Sequence, residues 1–96
     1  MKPVRLAALA VDDLLDAIAW YERQRVGLGE RFAQHVDALL SQLGENPREF
    51  PIVHLDTRRA LVRPFPYGIF FRELDDVVRV VAIVHLHRAT ATWRTR

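Results

Sequence analysis

Apolar residues recur at two different periods along this 96-residue chain, and the change of period divides it near the middle. Leu28, Phe32, Val36, Leu39 and Leu43 follow one another by four, four, three and four residues, which draws one apolar stripe down a helix. Gly44 and Pro47 end it. Before this stripe, Leu14, Leu15, Ile18 and Tyr21 also recur at helical spacing and predict a helix from an N-cap at Asp12 or Asp13 to about Arg25. Gly27 and Gly29 are expected to break that helix and turn the chain. Residues 3–9, "PVRLAAL", read as a short first strand.

Past Pro47 the period shortens. A loop carries Phe50, Pro51 and His54, then "RALVR" at 59–63 and "GIFFREL" at 68–74 predict two strands. Asp75-Asp76 marks a tight connection into "VVRVVAIVHLH", residues 77–87, a β-branched run too long and too uninterrupted for an edge strand. An N-terminal strand, a two-helix hairpin and a three-stranded antiparallel meander make an α+β fold. Both helices should pack on one face of the sheet, in a single domain over residues 1–96.

Alternation along the last strand assigns its two faces. Val78, Val80, Ala82, Val84 and Leu86 point one way and belong against the helices; Arg79, Val81, Ile83, His85 and His87 point the other. Both histidines are therefore expected together on an open sheet face with Arg88 beside them, joined by Arg59 and Arg63 where these face the same side of the 59–63 strand.

Length and composition limit what such a face can do. A chain this short has one core, so a site must lie on a surface or in a shallow groove. Half its residues are apolar and 27% charged, the balance of a globular protein. It has no cysteine, which excludes disulfides and thiolate metal sites and fits a reducing compartment. The start is interrupted too early by aspartates for a secretory signal, and no run approaches membrane-spanning length. A soluble cytoplasmic protein is expected. Net charge is only +2, yet residues 1–47 hold five basic and seven acidic groups while residues 48–96 hold nine arginines and five acids. The second half is thus the better contact surface for an anionic partner. A +2 total beside an acidic first half does not support specific DNA binding by this chain alone.

Several segments together resemble one family. "DLLDAIAWYERQRVGLGERF", then Arg63 before Phe65-Pro66-Tyr67, then Val77 to Val84 ending at His85 and Arg88, and finally Trp93-Arg94, are similar in order and spacing to the ParE branch of the ParE/RelE toxin superfamily of type II toxin–antitoxin modules. Independently of any family, Pro64 and Pro66 interrupt strand pairing while the rings of Phe65 and Tyr67 cover the sheet.

The resemblance implies a plasmid-stabilising or growth-inhibiting toxin that binds DNA gyrase without chemistry or cofactor of its own. Arg59, Arg63, His87, Arg88, Trp93 and Arg94 are the target-binding candidates. It also implies a cognate antitoxin, in a complex such as a heterotetramer, for which Leu14, Ile18, Trp20 and Tyr21 on the first helix are the docking candidates. The alternative is a RelE-like ribosome-dependent mRNA endoribonuclease. In that reading His85 or His87 exchanges protons while Arg63 and Arg88 stabilise charge on phosphate. That branch usually carries lysines and a C-terminal tyrosine on this surface, where this chain has the single lysine Lys2 and Trp93. His85-x-His87 could offer two ligands to zinc with His54 or Asp56 as a third, but nothing in the spacing fixes the third, so no metal is expected.

Overall fold

The structure, a computed structural model, describes residues 1–88 and 91–96; Ala89 and Thr90 of the C-terminal tail lie outside the described residues. The order is β1 (Val4–Leu6), α1 (Ala8–Gln24), α2 (Leu28–Glu45), a 3-10 turn (Pro47–Glu49), β2 (Ile52–His54), β3 (Thr57–Leu61), β4 (Tyr67–Glu73), β5 (Val78–His85) and a closing 3-10 helix (Ala91–Thr95). The sheet runs β1-β5-β4-β3-β2, with β1 parallel to β5 and the rest antiparallel. The expected α+β architecture is present, with one strand more than the pattern predicts. That strand, β2, lies where a loop was expected around His54 and pairs with β3 across a tight turn.

α1 begins at Ala8, before the aspartates expected to cap it. Its N-cap, Ala7, makes no side-chain cap. Instead the Ala7 N–H donates to the Val80 carbonyl at 2.9 Å, so pairing with β5 carries the chain directly into the helix. Asp12 and Asp13 lie inside α1, which frees Asp13 for another role.

The helical hairpin depends on two glycines and one carboxylate. Gly27, at φ 89°, takes the left-handed conformation that glycine adopts without steric cost and forms the N-cap of α2. Gly29 does not break a helix as expected; it lies buried within the first turn of α2. A β-carbon there would fall 2.6 Å from the Ile18 carbonyl oxygen, so its absence lets α1 and α2 approach. Glu22 of α1 accepts from the Gly27 and Gly29 N–H groups at 3.0–3.1 Å, satisfying donors that the start of α2 leaves open.

The predicted stripe of α2 supplies the buried Phe32, Val36 and Leu43, and α1 supplies Ala10, Ala17 and Tyr21. They pack on Ile69, Phe71, Val78, Val80 and Ile83 of the sheet. Phe65 and Tyr67 close one end, each within about 5 Å of the Phe32 ring.

The second half of β5 departs from the predicted alternation. Phe70 pairs with Ala82, but Phe71 pairs with Val80, so Val81 is an extra, bulged residue. A one-residue insertion reverses every side chain beyond it. Val78 and Val80 face the helices as expected, whereas Ala82, Val84 and Leu86 join Phe70, Val81 and Trp93 on the opposite face. Ile83 and His85 turn to the helix side instead. The far face is therefore not an open plane bearing two histidines but a second, smaller apolar cluster covered by Trp93.

Candidate functional site

Two grooves open at the His85 end of the sheet, one on each side. On the helix side, a groove of about 480 Å³ is lined by Asp16, Trp20, Arg23, Tyr67, His85 and Arg88 among others. β4 places Tyr67 opposite His85 in the ladder, and the rings meet edge-on at 5.3 Å. The turn after β5 places the Arg88 guanidinium 5.3 Å from the centre of the Trp20 ring, close enough for cation–π attraction. Burial raises the Tyr67 pKa, opposed by the neighbouring Arg88 charge, so the hydroxyl keeps its proton at neutral pH. Burial lowers the His85 pKa, helped by the charges of Arg88 and His87. Its Nδ1 accepts the His87 N–H at 3.1 Å, which fixes the neutral tautomer with the proton on Nε2. The groove thus offers a phenol, a neutral imidazole, a guanidinium braced on an indole, and a carboxylate.

On the far side, a groove of about 460 Å³ is lined by Leu61, Arg63, Pro64, Phe65, Pro66, Leu86 and His87. Arg63 lies beyond the end of β3, next to the cis Arg63–Pro64 bond, and is exposed like His87. The four groups of the ribonuclease reading are therefore divided: Arg63 with His87, and His85 with Arg88. The imidazoles stand 5.7 Å apart at the boundary. His54, the distant ligand considered for zinc, lies 5.9 Å from the Trp93 ring. Among the described residues no group of three His, Asp or Glu side chains could hold a metal ion.

The remaining candidates separate by burial. Arg59 lies on the far face opposite Phe70, half-buried, its Nε enclosed without a hydrogen-bond partner among the described residues. Trp93 is not a free contact residue: it is 8% exposed and lies on Phe70, with the Arg94 guanidinium 5.4 Å from its ring centre. Tyr21 cannot meet a partner, since it is a buried member of the Phe32, Phe65 and Tyr67 ring cluster. Leu14 and Ile18 pack partly against the core. Trp20 remains, 37% exposed.

Sequence reasoning missed the pair that completes this end of the fold. β1 is too short to pair with the upper part of β5, which leaves an Ile83 N–H and a Val81 carbonyl at an open edge. The Asp13 carboxylate accepts from Ile83 N–H at 3.0 Å, and Arg96 donates to Val81 O and to Asp13. The early aspartate and the final arginine stand in for a missing strand.

The matching of this fold to known proteins is direct. Residues 4–90 match the family model described as "ParE toxin of type II toxin-antitoxin system, parDE". The chain belongs to the ParE toxin family. A solved structure titled "Chromosomal ParDE TA system from P. aeruginosa" superposes with a TM-score of 0.80 at 14% identity, covering 90% of this chain and 97% of that one, a likeness of fold. No curated protein matches. The ParE family assignment agrees with the expected helical hairpin and meander. No helix among the described residues is long and apolar enough to cross a membrane.

Proposed function

We propose that this chain is the toxin of a type II toxin–antitoxin module, that it acts by binding DNA gyrase, and that a cognate antitoxin neutralises it by docking around Trp20 on α1. One observation favours binding over catalysis. The groups that RNA cleavage would need do not line one groove: the Val81 bulge turns His85 to the helix side with Arg88, and β5 ends at His85, so His87 falls in the following turn and shares the far groove with Arg63. Membership of the ParE family supports the same reading. The residues put forward for the target are Arg59, Arg63, His87 and Arg94 on the far side, with Arg88 at the rim of the other groove.

The test is supercoiling by purified gyrase. Inhibition by the wild-type chain is expected, and Arg63→Ala with His87→Ala should weaken it by about tenfold through lost contacts. Full supercoiling in the presence of excess chain sinks the proposal.

The second reading, an RNA-cutting toxin, draws on the Tyr67, His85 and Arg88 groove, where the neutral imidazole could accept a proton beside a cation once its Nδ1 parts from the His87 N–H. Translation extracts would then contain cut transcripts, and His85→Ala should lower cleavage by about a hundredfold or more.

A further inference from the structure

We propose that the sheet face turned away from the helices binds an extended, carboxylate-rich segment of the protein this toxin acts on, along a row of three arginines contributed by adjacent strands. The row follows from register. Arg5 of β1 lies opposite Arg79 of β5, and Arg79 lies opposite Arg72 of β4. Val4 and Leu6, Phe71, and Val78 and Val80 of the same strands pack on the helix side, so alternation directs all three arginines to the other face. Neighbouring strands are about 4.8 Å apart, which makes the row about 10 Å long.

Like charges placed directly opposite one another destabilise a sheet. Here nothing in the fold compensates Arg5 or Arg79: among the described residues neither has a carboxylate partner. Only Arg72 has one, and it shows what the row accepts. Its Nε lies 3.4 Å from the carboxylate of Asp56, a side chain 74% exposed, and donates to Thr57 Oγ1 at 3.2 Å. A carboxylate of the chain itself thus rests against one end of the row, held loosely enough to be displaced. Further along the same face Arg59 keeps a buried Nε without an acceptor among the described residues.

Peptide carboxylates fit this surface better than a nucleic acid. Binding of single strands combines a basic track with exposed rings on which bases stack. The two large rings of the far-face cluster, Trp93 and Phe70, are buried on each other. A net charge of +2 also provides little attraction for a long polyanion. Carboxylates on alternate residues of an extended strand recur about every 7 Å and suit the planar forks of arginine. This inference rests on the reading of the far face as the target surface, and it adds the chemistry of what that surface meets.

The experiment measures binding of a fluorescent octaglutamate peptide and of an oligothymidylate of equal length to the full chain at low salt, by anisotropy. The peptide should bind more tightly. Arg79→Gln should weaken it about fivefold, and Asp56→Asn, which frees Arg72, should strengthen it. Thermal melts of both variants at or above the wild-type midpoint exclude misfolding, since Arg79→Gln also relieves repulsion. Absent peptide binding, equal binding by Arg79→Gln, or preference for the oligonucleotide overturns the proposal. Gyrase inhibition is scored separately. A chain that binds the peptide through Arg79 but leaves gyrase untouched removes gyrase as the target while retaining the arginine row. An Arg79→Gln variant that loses the peptide yet inhibits gyrase fully overturns the row's assignment to the target.

Discussion

Trp93 lies almost flat on Phe70, with ring centroids 4.2 Å apart and planes 19° from parallel. The contact joins a short C-terminal 3-10 helix to the middle of β4 and converts the far face of the sheet into a second core. Trp93→Ala should therefore cost about 3 kcal/mol, within the range of large-to-small changes at buried aromatics. Urea unfolding checks this; a loss below about 0.5 kcal/mol would mean that the tail is not part of the folded unit.

Asp13 and Arg96 supply the hydrogen bonds that β1 is too short to make. Asp13→Ala strands both the Ile83 N–H and the Arg96 guanidinium, so it should destabilise by about 2 kcal/mol. Arg96→Ala should cost less, because Asp13 retains the Ile83 N–H. A double-mutant cycle should return a coupling of about 1 kcal/mol; additive losses would show that the pair acts independently.

Trp20 is the large exposed aromatic of α1, edge-on to Tyr21 at 5.1 Å and beneath Arg88. If the antitoxin docks there, Trp20→Glu should weaken the complex by about thirtyfold, the cost of a central aromatic contact. Folding stability should stay within about 0.5 kcal/mol, because the ring is outside the core. Calorimetric titration with the proposed cognate antitoxin decides it, and an unchanged affinity removes α1 as the docking surface.

His85 makes stability sensitive to mild acid. Its folded pKa is lowered by burial beneath the ordinary 6.5, so the unfolded chain takes up the proton first as the pH falls. Stability should therefore decline below about pH 6.5 and level off once the folded state is also protonated. His85→Gln should flatten that part of the profile. A histidine titration by NMR with a midpoint at or above 6.5 would contradict the burial argument.

Glu73 produces a second decline at lower pH. Hydrogen bonds from Lys2 at 2.9 Å and Arg48 at 3.0 Å hold its pKa below 4.5, so the stability this pairing contributes is present above that value and lost as the pH falls through the folded pKa. Glu73→Gln should remove this loss; an identical acid profile for the variant would show that the cluster contributes nothing.

The helical half of the molecule was legible because its signal is local. Leu28, Phe32, Val36 and Leu43 must share a face in any α-helix, and turn residues bounded the hairpin. Gly29 was misread as a breaker because its role, clearance for the Ile18 carbonyl, belongs to the contact between two helices and leaves no trace in one of them. β2 escaped notice because three residues are too few to establish alternation.

The sequence by itself determined two helices, the main strands, the α+β class and the concentration of arginine in the second half. Only the tertiary structure decided which face each side chain occupies. Strand alternation has a period of two, so the single bulged Val81, a product of how β5 pairs with β4, is enough to reverse the order beyond it and turn His85 away from Arg63; the end of β5 at His85 then leaves His87 in the turn, on the Arg63 side. The same dependence on pairing aligns Arg5, Arg79 and Arg72, which are far apart in the chain and neighbours only through strand register.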